Sequence, residues 1–171
     1  MAAEAAAAGK EKMRTLVSSD FKKFDVEESV ARESLIILNL MADCDDSDIP
    51  VFNVNAKILD KVIAYCRKHA SAPRADGGDA EPIAASNKAS ADDLKSFDAE
   101  FVDVDLVTLL ELIKAADYLE INGLLDLTCQ AVADMIKGKT PEEIRETFDI
   151  ENDFTPEEEA KVRRENQWAF E

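Results

Sequence analysis

Short apolar runs separated by turn-forming residues characterise the start of the chain. Residues 13–17 and 24–26 are predicted to be strands, with Ser18-Ser19-Asp20 as turn formers between them. A helix is predicted over residues 27–33. The next run, residues 35–41, is apolar enough to be buried on more than one side, and its periodicity leaves helix and strand both open.

The central and later parts of the chain show helical spacing more clearly. Residues 49–54 predict one further strand, with Pro50 near its start. Asn55 can cap the helix that follows. The apolar residues of this helix recur at helical spacing: Ile58, Leu59, Val62, Ile63 and Cys66. Residues 105–118 and 124–137 predict two more amphipathic helices with leucine-rich faces.

Two similar motifs mark the starts of the last two helices. Thr140 and Thr155 each precede the sequence Pro-Glu-Glu, which places Thr at the N-cap, Pro at the first helical position and Glu three residues after the cap. Gly138 lies where the preceding helix needs a left-handed residue at its carboxyl end. The sequences flanking the two motifs differ, so they do not indicate an internal repeat.

The patterns divide the chain into a tail, a mixed domain and a helical extension. Residues 1–12 are rich in alanine and are expected to be a disordered tail. Residues 13–137 are expected to form an α/β domain, interrupted at 70–92 by a flexible acidic insertion that has too little apolar surface to offset its ordering entropy. Structure is expected to resume at Asp93. Residues 138–171 form the helical extension.

The helix over 124–137 has an unusually wide apolar arc. One stripe contains Leu125, Cys129, Val132 and Ile136, and a second, centred about 110° away, contains Leu124, Ala131 and Met135. One stripe could face the core and the other a partner. Alternatively, this helix is central and its own chain packs on both sides.

The last helix carries little apolar surface of its own. Between Pro156 and Gln167, only Ala160 and Val162 are apolar, and ion pairs between side chains four residues apart contribute only about 0.3 to 0.5 kcal/mol each. We therefore expect a second protein to dock here, with Trp168 as an aromatic anchor and with apolar contacts from Phe148 and Ile150. The alternative is that Trp168 packs onto its own domain.

Composition narrows the class of partner. The 171 residues include 37 acidic and 20 basic side chains, for a formal net charge of -17, which disfavours nucleic acids and anionic membrane surfaces. No apolar run approaches the ~20 residues that span a bilayer, and the amino terminus does not have a secretory signal. The chain is expected in the nucleus and cytoplasm, with its three cysteines reduced.

The sequence has no recognisable catalytic or metal-binding motif. The single histidine, His69, has no cysteine or carboxylate partner at ligand spacing. The acidic cluster over residues 43–48 does not have the glycine and the glutamate of an EF-hand, and no glycine-rich phosphate loop occurs. We expect no enzyme activity, no cofactor and no metal.

Three segments closely resemble the Skp adaptors of SCF ubiquitin ligases, namely residues 124–145, Asn152-Asp-Phe-Thr-Pro-Glu-Glu-Glu and Arg164-Glu-Asn-Gln-Trp168. The ending Trp168-Ala-Phe-Glu171 is similar to plant members. The resemblance implies an α/β fold, namely a BTB/POZ-type domain with a C-terminal helical extension that binds the F-box. It implies a non-catalytic adaptor that bridges an F-box protein to the cullin N-terminal domain. Asp117 and Tyr118 match the positions that meet the cullin. Six residues match positions that pack on the F-box: Leu125, Val132, Ile136, Phe148, Ile150 and Trp168.

Three departures from the family pattern bear on this expectation. Phe21 stands where members usually have glycine, so the first hairpin turn is expected to differ from the usual one. Phe52 replaces a more usual proline, and Asp117 replaces the usual asparagine. Because of the added charge at Asp117, two alternatives stay open: the chain is an F-box-binding subunit that acts without a cullin, or it is a divergent paralogue with restricted partners. A homodimer in the absence of an F-box protein is a further expectation.

Overall fold

Three strands form a small mixed sheet in the order β2-β1-β3. The computed structural model describes residues 12–43, 48–71, 86–166 and 168. Strands β1 (Met13–Ser18) and β2 (Lys23–Glu27) are antiparallel, whereas β1 and β3 (Ile49–Val51) are parallel. The first two predicted strands are confirmed. The third is shorter than predicted because the chain turns at residues 52–53.

Eight helices occur in the described ranges. In chain order they are α1 (Glu28–Ala31), α2 (Leu35–Asp43), α3 (Ala56–Ala70), α4 (Ser86–Val102), α5 (Leu106–Tyr118), α6 (Asn122–Ile136), α7 (Pro141–Phe148) and α8 (Pro156–Glu165). None of these helices is long and apolar enough to cross a membrane.

Helix α2 resolves the ambiguity left by the apolar run at 35–41. The buried Ser34 hydroxyl accepts a hydrogen bond from the backbone N–H of Ile37 at 3.2 Å, which satisfies a donor in the first turn. The same hydroxyl donates to the backbone carbonyl of Leu119 at 2.6 Å. The start of α2 is therefore fixed both locally and by a residue far along the chain.

Helix α4 begins earlier than the sequence pattern predicts. Structure was expected to resume at Asp93, but α4 starts at Ser86. Its last turns pack on α3, where the ring centroids of Phe101 and Tyr65 lie 5.6 Å apart. The Nε2 atom of His69 lies 2.8 Å from Oδ1 of Asp98. These tertiary contacts stabilise a helix that contains several Ser, Asp and Phe residues, which are weaker helix formers than alanine or leucine.

Several other expectations fall partly or wholly on residues that the structure does not describe. Almost all of the predicted disordered tail at 1–12 and residues 72–85 of the predicted flexible insertion lie outside the described ranges. The same is true of residues 44–47 in the acidic cluster. The remaining residues of the insertion belong to the end of α3, to Ser71 and to the start of α4.

The chain divides into two compact units, Met1–Val132 and Ala133–Glu171. The first unit contains the sheet and a core built from residues such as Val26, Ile49, Leu59 and Leu112. The division lies inside α6, five residues before the boundary that the sequence predicts, because the buried residues of α6 end at Thr128. We name these parts the first and second units.

The turn between β1 and β2 contains a residue in an unusual backbone conformation. Phe21 has φ of 62°, in the left-handed region that glycine adopts without strain. For a residue with a Cβ atom this conformation costs roughly 1 to 2 kcal/mol. The turn is closed by the Phe21 N–H donating to the Ser18 carbonyl at 2.9 Å. The phenylalanine therefore occupies a backbone conformation that glycine adopts more easily.

Candidate partner-binding surface

Helix α6 is anchored to the core by only one side of its first half. Leu124 and Thr128 are buried, and the Thr128 hydroxyl donates to the Leu124 carbonyl at 2.8 Å. Leu125 is half-buried against the core. In the described part of the chain, no residue of α6 after Thr128 is buried. This argues against the alternative in which the chain itself packs on both sides of α6.

The outer positions of α6 remain accessible along its length. Cys129 is exposed, Val132 is half-buried and the side chain of Ile136 is 37% exposed. Leu125 and these three residues follow one another at steps of four, three and four positions, which places them on one helical face. The expected stripe therefore exists as a partly uncovered apolar surface.

Helix α7 begins at the predicted capping motif. The Thr140 hydroxyl accepts from the backbone N–H of Glu143 at 3.3 Å, and the Glu143 carboxylate accepts from the backbone N–H of Thr140 at 2.8 Å. These bonds lower the pKa of Glu143 below its ordinary value, chiefly through the Thr140 N–H. Before this helix, Gly138 has φ of 75°, the left-handed value predicted for it.

The carboxyl end of α7 and the segment after it carry apolar side chains that are only partly covered. Asp149 ends the helix in the left-handed conformation, with φ of 52°. Its neighbours on either side are Phe148, which is half-buried, and Ile150, which is 55% exposed. The backbone N–H of Ile150 donates to the Arg145 carbonyl at 2.8 Å. This hydrogen bond closes the helix end and fixes the backbone that carries Ile150.

Helix α8 repeats the capping motif but has no buried residue. The Thr155 hydroxyl accepts from the Glu158 N–H at 3.3 Å, and the Glu158 carboxylate accepts from the Thr155 N–H at 2.9 Å, which lowers the pKa of Glu158. Val162 is exposed. Trp168 is 76% exposed.

A cavity of about 420 Å³ lies between α7 and α8 within the second unit. Pro141, Phe154 and Val162 contribute apolar side chains to its lining. Arg145 Nη1 lies 3.5 Å from Glu159 Oε1 across the two helices, and Arg163 pairs with Glu142. Ion pairs therefore join these helices around an apolar cavity that their own side chains leave unfilled.

Phe154 was not predicted from the sequence as part of a candidate surface. It is an exposed aromatic residue immediately before the cap Thr155 and lines the cavity. The available signal was its position, because an apolar residue just before a helix cap usually packs on the fourth residue of that helix, and here the fourth residue is the charged Glu159.

The positions expected to meet the cullin lie at the end of α5 in the first unit. Asp117 is exposed, and Tyr118 is half-buried against the core. The chain then turns sharply, with Glu120 at φ of 51°, and the Ile121 N–H donates to the Ala116 carbonyl at 2.9 Å. The exposed carboxylate of Asp117 is therefore held at a well-defined helix end.

Metal and catalytic chemistry receive no support from the described ranges. They contain no group of three or more His, Cys, Asp or Glu side chains placed to hold a metal ion. The imidazole of His69 pairs with the carboxylate of Asp98 and stacks on the ring of Tyr65, with ring centroids 3.9 Å apart. Burial raises the pKa of the Cys66 thiol to about 12, so this cysteine is a poor nucleophile.

Two family models match parts of the chain. Residues 12–71 match the POZ-type family model described as Skp1 family, tetramerisation domain, and residues 122–169 match Skp1 family, dimerisation domain. These matches confirm the predicted POZ-type fold and the resemblance on which it was based.

Curated plant proteins match nearly the whole chain. SKP1-like protein 20 of Oryza sativa subsp. japonica is 60% identical over 174 residues, which cover 98% of this chain and 99% of the relative. SKP1-like protein 1 of the same organism is 61% identical over 172 residues, covering 97% and 99%. SKP1-like protein 1A of Arabidopsis thaliana is 59% identical over 157 residues, covering 91% and 96%.

Proposed function

Because the chain belongs to the Skp1 family, whose members are non-catalytic adaptors, we propose that it bridges an F-box substrate receptor to a cullin scaffold in an SCF-type ubiquitin ligase. The mechanism is positional. The F-box protein brings the substrate, the cullin brings the ubiquitin-loading machinery, and this chain holds the two together. We expect the chain to act in this role in the nucleus and cytoplasm.

The observation that carries the proposal is apolar surface left uncovered near the carboxyl end. Ile136, Ile150, Phe154, Val162 and Trp168 are all exposed. Isolated exposed apolar residues are common, but a tryptophan and several aliphatic side chains over so short a segment are typical of a protein-binding surface. Aromatic residues with most of their surface accessible make effective anchors once a partner removes that surface from water.

The F-box protein is assigned the outer face of α6 together with the apolar residues of the second unit. Its six proposed contacts are those the family resemblance implies: Leu125, Val132, Ile136, Phe148, Ile150 and Trp168. The cavity between α7 and α8 supports this assignment, because an apolar side chain of the partner would fill space that the chain leaves empty.

We assign the end of α5, at Asp117 and Tyr118, to contact with the cullin N-terminal domain.

The second candidate function is that of an F-box-binding subunit that acts without a cullin. The exposed charge of Asp117 at a matched cullin position favours it. Burying that carboxylate against a partner without a compensating cation would cost several kcal/mol.

Assembly from purified proteins tests the proposal and separates the two functions. The chain is mixed with an F-box protein and a cullin N-terminal domain and analysed by size-exclusion chromatography with light scattering. We expect a complex with one copy of each protein. A stable complex with the F-box protein that never incorporates the cullin domain would support the cullin-free function instead. The free chain, measured alongside, reports whether it forms a homodimer.

A further inference from the structure

The outer face of α5 carries apolar side chains that the first unit does not cover. Val107 is 67% exposed and Leu110 is also exposed. Lys114 and Asp117 continue the same line, since the four residues follow one another at steps of three, four and three. One face of α5 therefore carries exposed apolar side chains in its first turns and the proposed cullin contact, Asp117, in its last turn.

A shallow cleft joins this helical face to the turn after β3. The cleft has a volume of about 160 Å³, with Asn53 and Asn55 on one side and Glu111 and Lys114 on the other. Phe52 immediately precedes Asn53 and is 71% exposed. Asn53, in the turn that carries Phe52, and Lys114, on the outer face of α5, therefore line the same cleft of the first unit.

The backbone around Phe52 is fixed on both sides. Val51 and Val54 are buried, and the Val54 carbonyl accepts from the Ser19 N–H at 2.9 Å. Two residues further on, the Ala56 N–H donates to Oδ1 of Asp20 at 2.7 Å. A large aromatic side chain displayed on an ordered backbone loses little conformational entropy when a partner covers it.

We infer that Phe52 is an apolar anchor for the cullin N-terminal domain, in a contact that runs from Asp117 and Tyr118 along α5 to the turn after β3. The inference rests on the proposed adaptor function and adds a residue to its cullin surface. The complementary cullin surface would offer apolar side chains to Phe52 and Val107 and a cation near Asp117. Apolar burial at Phe52 would offset the cost of desolvating the carboxylate.

Calorimetric titration of the cullin N-terminal domain into the complex of this chain with an F-box protein tests the inference. We expect Phe52→Ala to weaken cullin binding by about tenfold or more, Val107→Ala by about threefold, and Phe52→Tyr, which keeps the ring, by less than about threefold. The affinity for the F-box protein should stay unchanged in all three variants.

Met13→Ala is the matched control. Met13 is exposed like Phe52, but it lies at the opposite end of β1 from Ser18, which pairs with Val51. It should bind the cullin domain within about twofold of the parent chain. Wild-type cullin affinity in Phe52→Ala would overturn the inference and leave the proposed function standing. Failure of the parent chain to bind the cullin domain, with F-box binding intact, would overturn both.

Discussion

Replacing Trp168 with alanine should weaken binding of an F-box protein by about 2 kcal/mol or more, which is a loss of roughly thirtyfold in affinity. The side chain is 76% exposed, so nearly all of the surface that a partner could cover is available in the free chain. Because the indole contributes little to the packing of its own chain, its removal should leave the stability of the first unit unchanged. Isothermal titration calorimetry measures the affinity, and urea unfolding measures the stability.

Phe21→Ala is the control for this experiment. Phe21 is also an exposed aromatic residue, but it lies in the turn between β1 and β2 in the first unit. Its removal should change F-box affinity by less than about 0.5 kcal/mol. Equal losses in the two variants, or unchanged affinity in Trp168→Ala, would show that Trp168 is not an anchor.

Introducing a charge on the apolar face of α6 should have a larger effect. Ile136→Asp places a carboxylate where the F-box protein is proposed to bury an aliphatic side chain. Burial of an unpaired charge at an interface costs several kcal/mol, so we expect a loss of about 3 kcal/mol or more. Since Ile136 is already partly exposed in the free chain, the substitution should disturb folding far less than binding. A pull-down with a purified F-box protein would detect the loss.

Gln130→Asp controls for the added negative charge. Gln130 is exposed on the same helix but lies about 120° around it from Ile136. This variant should retain F-box binding. Retention of binding by Ile136→Asp, or equal losses in both variants, would exclude the proposed role of the stripe on α6.

Local signals in the sequence predicted several features well. The capping motifs at Thr140 and Thr155 gave the starts of α7 and α8, since their hydrogen bonds involve residues only three positions apart. The left-handed conformation of Gly138 was predicted for the same reason. Interactions confined to one or two turns can be read from the sequence without knowledge of the rest of the fold.

Features that depend on distant residues were predicted less well. The helical state of residues 35–41 could not be chosen from periodicity, and in the structure Ser34 at the start of α2 bonds to the distant Leu119. Helix α4 starts at Ser86, and its contacts with α3 lie near its other end, where Phe101 packs on Tyr65 and Asp98 pairs with His69. None of these contacts leaves a signal in the composition of residues 86–92, which resembles that of a flexible linker.

The candidate surface was predicted in part. The wide apolar arc of α6 and the sparse apolar content of α8 indicated surface left for a partner, and the exposure of Ile136 and Trp168 agrees with that interpretation. The cavity lined by Phe154 was not predicted, because it depends on how α7 and α8 pack within the second unit. The six F-box contacts and the two cullin contacts remain predictions based on family resemblance.

Thiol labelling of Cys129 tests the central claim most directly. Cys129 is exposed on the outer face of α6, whereas Cys66 is buried with its pKa raised to about 12, and a Cys44→Ser background removes the third thiol. A maleimide reagent should modify Cys129 readily in the free chain, and a saturating F-box protein should slow that reaction at least tenfold. Equal labelling rates with and without a bound F-box protein would contradict the account.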